Sequence, residues 1–202
     1  MFGDAIDPLT LPKNAVILRP HWNYVVKRSG VRRSRQCCNG SKFAAPLLQA
    51  MVSTWSSCVE LPIQRLFIAL SAQKGLCMYG GDARDAYAHA PAPEMMTHLT
   101  IDDAYYEWYK EKTGKSLNRC FVLPVLHSLQ GHPESGKMWM KLIDRILIKD
   151  LGFATTTKDR CIYMKKIEGR TILLLRQVDD FCLNCTDEQD AKNIYNLIGT
   201  KI

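Results

Sequence analysis

Asp82, Asp179 and Asp180 are the side chains of this sequence best suited to hold a divalent cation. Asp179 and Asp180 stand side by side between the apolar runs of "TILLLRQVDDFCLNC", and Asp82 ends the run "LCMYGGD" behind Gly80 and Gly81. A carboxylate beside buried strand is costly unless it is solvated, hydrogen-bonded or holding a cation. Hard cations such as Mg²⁺ take oxygen ligands, and two of them about 3.5–4 Å apart clamp both the attacking and the leaving oxygen of a phosphoryl displacement. Three aspartates from neighbouring strands suffice to hold them. An Asp-Asp pair by itself is most often a solvated turn or helix cap. The second carboxylate in a comparable setting, with glycines that let backbone or ligand come close, favours a site.

Two other patterns could do chemistry. Cys182 and Cys185 form a C-x-x-C, but a single pair without a second pair or nearby histidines is weak ground for zinc or redox work. The eight cysteines read instead as reduced, mostly buried thiols. "GHPESGKM", residues 131–138, has the G-x-x-x-x-G-K core of a phosphate-binding loop and opens a helical pattern. It lacks the Ser or Thr after Lys137 whose hydroxyl reaches magnesium, carrying Met138 instead. A P-loop NTPase through Gly131 to Lys137 is therefore the lesser alternative.

The elements that must position these residues are marked by punctuation. "HWNYVVKRSGVRRSRQCCNG" reads as a hairpin around Ser29 and Gly30, loaded with Lys27, Arg28, Arg32, Arg33 and Arg35. "ELPIQRLFIALSAQKG" reads as a helix with Pro62 in its first turn, Leu66, Phe67 and Leu70 sharing a face and Gly75 as its stop. The strand "LCMYGG" then delivers Asp82. A surface helix over "TIDDAYYEWYKEKTG" and an extended "RCFVLPVLHSL" follow. "SGKMWMKLIDRILIKDLG" has Met138, Leu142, Ile143 and Ile146 at helical spacing. "CIYMKK" and "TILLLRQV" pair around Glu168-Gly169, and the last helix starts at a capping box of Thr186 and Gln189. The order implies an α+β fold of mostly antiparallel strands backed by helices. Asp179 and Asp180 fall at the tight connection between "TILLLRQV" and "FCLNC". Only at a turn can two successive side chains approach one site.

Composition supports a folded chain: 202 residues, 47% hydrophobic and 23% charged. The first 50 residues hold eight Lys or Arg against Asp4 and Asp7, which is +6 of the +7 net charge. Such a basic segment suits a polyanion. There is no apolar run of membrane-spanning length and no secretion signal, so no membrane partner and an intracellular setting are expected.

"GGDARDAYAHAP", then "LHSLQGHPESGKMWMKLID", then "QVDDF" resemble, in order and spacing, the reverse transcriptases of copia-type retrotransposons. The family's Asp-x-x-x-Ala-Phe/Tyr block corresponds to Asp82 to Tyr87. Its Leu-Tyr-Gly-Leu-Lys-Gln-Ala-Pro block corresponds to Leu126 to Pro133 with Trp139 beyond, and its Tyr-Val-Asp-Asp block to Gln177 to Asp180. The resemblance implies a right-hand polymerase palm, a ferredoxin-like antiparallel sheet backed by helices, with a basic fingers hairpin and no thumb. Residues 1–20 are then an N-terminal extension, fingers lie at about 21–75 and 95–130, and palm at about 76–94 and 131–202.

By the same resemblance the function is RNA-directed DNA synthesis, with Asp82, Asp179 and Asp180 holding two Mg²⁺ (or Mn²⁺). Lys27, Arg35, Asp85, Ala86 and Tyr87 would contact the incoming nucleotide. Arg32, Arg33, Gln130, Pro133 and Gln177 would contact template or primer. The implied partners are an RNA template, a DNA or RNA primer duplex, deoxynucleoside triphosphates and capsid-like proteins of the same element. The implied setting is a cytoplasmic virus-like particle with nuclear entry. Gln177 replaces the usual Tyr, and His127, Ser128 and Gln130 depart from the middle block. With no room for a thumb, a polyprotein fragment or degenerate copy is expected, and an inactive nucleic-acid-binding remnant is the main alternative. The polymerase reading requires Asp82 to lie within about 10 Å of the pair, given the roughly 3.5–4 Å spacing of a two-metal site.

Overall fold

Strand-forming runs rich in Val, Ile, Leu and Tyr alternate with helical patterns, and the observed elements follow that order. The computed structural model describes residues Met1–Ile202, the side chain of Leu47 excepted. In chain order the strands are β1 (Val16–Leu18), β2 (Pro20–Val26), β3 (Arg32–Cys38), β4 (Cys77–Asp82), β5 (Thr97–Thr100), β6 (Val122–Pro124), β7 (Ala154–Thr155), β8 (Ile162–Ile167), β9 (Arg170–Gln177) and β10 (Asp180–Cys185). The helices are α1 (Pro46–Met51), α2 (Leu61–Gln73), α3 (Ala86–His89), α4 (Asp103–Thr113), α5 (Ser135–Asp144) and α6 (Glu188–Gly199). The class is α+β, and no described helix is long and apolar enough to cross a membrane.

The chain divides into two compact units, each built from two stretches. The first comprises Met1–Trp55 and Tyr87–Met138, the second Ser56–Ala86 and Trp139–Ile202.

In the first unit β1, β5 and β6 form a sheet in which β1 runs parallel to β5. Residues 1–20 contribute to it directly, through β1 and through bridges from Phe2 to Val125 and Ile6 to Val122. Leu18, Cys38, Leu48, Leu99, Val125 and Leu129 form its core. The β2–β3 hairpin is antiparallel, as its turn residues imply. The segment resembling a phosphate loop serves this unit's packing. His132 Nδ1 accepts from Glu134 N–H, and its Nε2 meets Thr97 Oγ1 at 3.1 Å. Lys137 is held by Glu94 at 2.8 Å.

The second unit is a five-stranded antiparallel sheet in the order β4-β10-β9-β8-β7. Alternation puts Leu173 and Leu175 on one face, where they pack with Val59, Phe67, Cys161 and Ile162. α2 supplies Phe67 to this core, but Leu66 is 53% exposed, so the buried stripe is Ile63, Phe67 and Ser71 rather than the leucines. Ser71 is accepted in the core because its hydroxyl donates to Phe67 O and receives from Asn184 Nδ2. On the other face the ring of Tyr195, from α6, lies over Gly81, and its hydroxyl donates to Tyr79 O at 2.7 Å. The α6 cap is Asp187, whose carboxylate accepts from Gln189 N–H, one residue beyond the expected Thr186. After α5 the chain continues as a π-helical turn over Arg145–Asp150, in place of the longer α-helix expected, with Leu151 N–H reaching Ile146 O.

Candidate metal centre

Two of the three aspartates are brought together by strand pairing. In the β4–β10 ladder Asp82 and Asp180 are register partners. The next rung is bonded, Ala83 N–H donating to Asp179 O at 2.9 Å, so Asp82 and Asp180 form a non-hydrogen-bonded pair. In such pairs the Cα atoms stand roughly 4.5 Å apart and the side chains rise on one face at their closest spacing. Asp82 and Asp180 are thus direct neighbours across the ladder. The face is the one that also carries Gly80 and Cys182, and a Cβ added at Gly80 meets nothing within 4 Å. Gly81, in contrast, makes room for the Tyr195 ring rather than for a ligand.

Asp179 is placed by the turn. Gln177 pairs with Asp180, leaving Val178 and Asp179 as a two-residue hairpin loop. Val178 has φ 58° while Asp179 is not in the left-handed region, the pattern of a type II′ turn, where glycine is the usual first residue. A β-branched residue at positive φ is a real outlier and costs on the order of 1–3 kcal/mol. It persists because its surroundings hold it: the buried indole of Trp139 donates from Nε1 to Val178 O at 2.8 Å. Sequence reasoning included Trp139 only as part of a motif. Nothing in its type or spacing announces a bond to the carboxylate turn.

Asp82 and Asp180 are exposed and Asp179 is half-buried. None of the three carboxylates engages a side-chain hydrogen bond or ion pair among the described residues. No group of three or more His, Cys, Asp or Glu placed to hold a metal ion occurs among the described residues, so the geometry brings together Asp82 and Asp180 and does not gather all three aspartates into one such group. The arrangement is an open pair on one strand face with a third carboxylate in the adjoining turn. That suits Mg²⁺, which keeps several waters and is commonly bound through one or two carboxylates together with substrate phosphates.

The remaining sequence-derived residues are spread over both units. Asp85, at φ 52°, and buried Ala86 lie just beyond β4, while half-buried Tyr87 belongs to the first unit. In the β2–β3 hairpin Arg33 and Arg35 share a face opposite Val25 and Asn23, whereas Arg32 lies on the other face beside Val26. Arg32 and Arg33 therefore leave the hairpin on opposite faces. Lys27 extends the ladder through its N–H to Val31 O. Gln130 and Pro133 buttress the hairpin's base: Gln130 O accepts from Cys38 N–H at 2.8 Å, and Pro133 packs against Gly40. Gln177 turns its amide to residues 58–59, accepting from Val59 N–H at 3.2 Å and donating to Cys58 Sγ at 2.8 Å. Cys182 and Cys185 lie three apart on β10 and so point to opposite faces, which rules out a shared metal, and all eight cysteines are free thiols.

The chain matches no protein-family model and no curated protein.

Proposed function

We propose that this chain is the fingers and palm of a copia-type reverse transcriptase, an RNA-directed DNA polymerase whose metal ligands are Asp82, Asp179 and Asp180. The observation that carries this reading is the Asp82–Asp180 register pair beside the strained Val178 turn. It joins residues 98 positions apart that the resemblance also groups. Bound Mg²⁺ supplies Lewis-acid stabilisation of the attacking and leaving oxygens in phosphoryl transfer. Asp82 and Asp180 offer hard oxygen donors from adjacent strands, and the turn holds Asp179 next to them. Arg35 and Lys27 supply positive charge for a nucleotide's phosphates, and Arg32 and Arg33 for template backbone.

Primer extension on poly(rA) with Mg²⁺ tests the assignment. Extension is expected, with loss of at least a hundredfold in Asp179→Asn; extension undiminished in that variant overturns the metal role. An inactive nucleic-acid-binding remnant is favoured by one observation, the Gln177 amide engaged with residues 58–59 where the family places an aromatic ring. It predicts salt-sensitive binding of duplex by the wild-type chain without synthesis.

A further inference from the structure

We infer that Arg176 and Gln177 form a clamp which, through residues 57–59, fixes the turn carrying Asp179; both act as positioning residues for the centre proposed above, and the inference rests on that reading. The two are consecutive on β9, an interior strand, so their side chains leave opposite faces of the sheet. They nevertheless reach one short segment. Arg176 Nη2 donates to Ser57 Oγ at 2.8 Å, while Gln177 bonds Cys58 Sγ and Val59 N–H. Side chains from opposite faces of an interior strand meet a common segment only where that segment passes the strand's end. The end in question is Gln177, and the next residue is Val178.

The segment is itself anchored. Ser57 N–H and Oγ both approach Met140 Sδ at 3.3 Å, one residue along α5 from Trp139, whose indole holds Val178 O. The contacts close a ring: β9 to residues 57–59, to α5, and back to the turn. Arg176 is only 1% exposed, and its Nε donates to Tyr163 Oη at 3.3 Å, which donates in turn to Asp144. Burial opposes the guanidinium's charge, and the Tyr163 oxygen and the Asp144 carboxylate more than offset it, so its pKa lies above the ordinary arginine value. A buried charge bonded at Nε and Nη2 is weak evidence for stability but a good device for fixing position. Here it fixes the strand that ends in a Val at positive φ, a conformation that survives only where neighbours over-determine it. Released, Val178 relaxes and Asp179 shifts relative to Asp82 and Asp180.

The clamp can be cut from either side in the full chain. Gln177→Met deletes both bonds of the amide, and Ser57→Ala removes the hydroxyl through which Arg176 Nη2 reaches residues 57–59, leaving its contacts with Tyr163 and Cys161, while Cys58→Ser keeps an acceptor for Gln177. Hydrogen exchange read by mass spectrometry is expected to speed up about tenfold at residues 177–181 in the first two variants and to stay unchanged at β8. The apparent Kd for Mn²⁺ alone, followed by electron paramagnetic resonance, is expected to rise about tenfold in the same two and to remain near wild type in Cys58→Ser. Unchanged exchange at the turn, or equal loosening of turn and β8, overturns the clamp. So does unchanged Mn²⁺ affinity in both variants. Should Gln177→Met fail to fold, Ser57→Ala carries the test. If wild-type protein shows no Asp179-dependent Mn²⁺ binding, the proposed centre fails, and turn-specific exchange still decides whether Arg176 and Gln177 hold the hairpin.

Discussion

Val178 concentrates the conflict between local preference and tertiary demand. Its φ of 58° is one that glycine adopts freely and a β-branched residue resists. Val178→Gly removes strain of about 1–3 kcal/mol and adds back about 0.5–1 kcal/mol of unfolded-chain entropy. A net stabilisation of about 1 kcal/mol is expected, visible as a higher urea midpoint with unchanged slope. Primer extension is expected to fall at the same time, because the turn loses its single conformation. A variant less stable than wild type contradicts the strain argument. None of this was legible beforehand: "QVDDF" shows a turn between strands, but a valine in the sequence argues against positive φ. The pairing of Asp82 with Asp180 was legible as an expectation, since each ends an apolar run. Its register was not, because two strands almost a hundred residues apart do not reveal which rungs meet.

Strand and turn signals specified the elements better than they specified helix faces. The Glu168-Gly169 turn between β8 and β9 has both residues at positive φ, 49° and 80°, as a type I′ hairpin requires. For α2 the leucine spacing does not mark the buried face, because buried Ser71 displaced Leu66 and Leu70 from the core once Asn184 offered it a partner. The α6 start slid by one residue because Asp187 caps at least as well as Thr186. The Gly-Gly before Asp82 also divides at this scale: one glycine lies open on the carboxylate face and the other is covered by a helix. A Cβ at Gly81 would stand 2.6 Å from Tyr195 Cε1. Gly81→Ala is therefore expected to cost about 1–3 kcal/mol through overpacking, with loss of the Tyr195–Tyr79 bond. Thermal unfolding measures it. Gly80→Ala, with nothing within 4 Å, is expected to leave stability within about 0.5 kcal/mol of wild type. Equal effects at the two positions would show that α6 does not pack as described.

The molecule as a whole responds to acid through a histidine far from the carboxylates in sequence and role. Burial pushes His132 down to about 4 from the ordinary histidine value of 6.5, because its ring is neutral, accepting at Nδ1 and packed beside Thr97. The folded pKa is depressed, so its contribution to stability is fully present above about 6.5 and is lost as pH falls toward 4. At 1.36 kcal/mol per unit the loss is on the order of 3 kcal/mol. His98, also lowered by burial and with Nδ1 lacking a partner, acts in the same direction. Urea titrations at pH 7 and pH 4.5 are expected to show this fall, and His132→Asn to flatten it while lowering stability at pH 7. An identical pH slope in the variant would remove His132 from the account.

The discontinuous make-up of the two units carries a consequence for synthesis. All stretches of the first unit have left the ribosome once residue 138 has emerged, whereas the second still lacks everything from Trp139 onward. Through that interval β4 is an orphan, because its sole neighbour in the sheet is β10. Asp82 thus waits on a strand with both edges unsatisfied until residues 180–185 are translated. Nascent chains arrested before that point present an unpaired edge to chaperones and to one another.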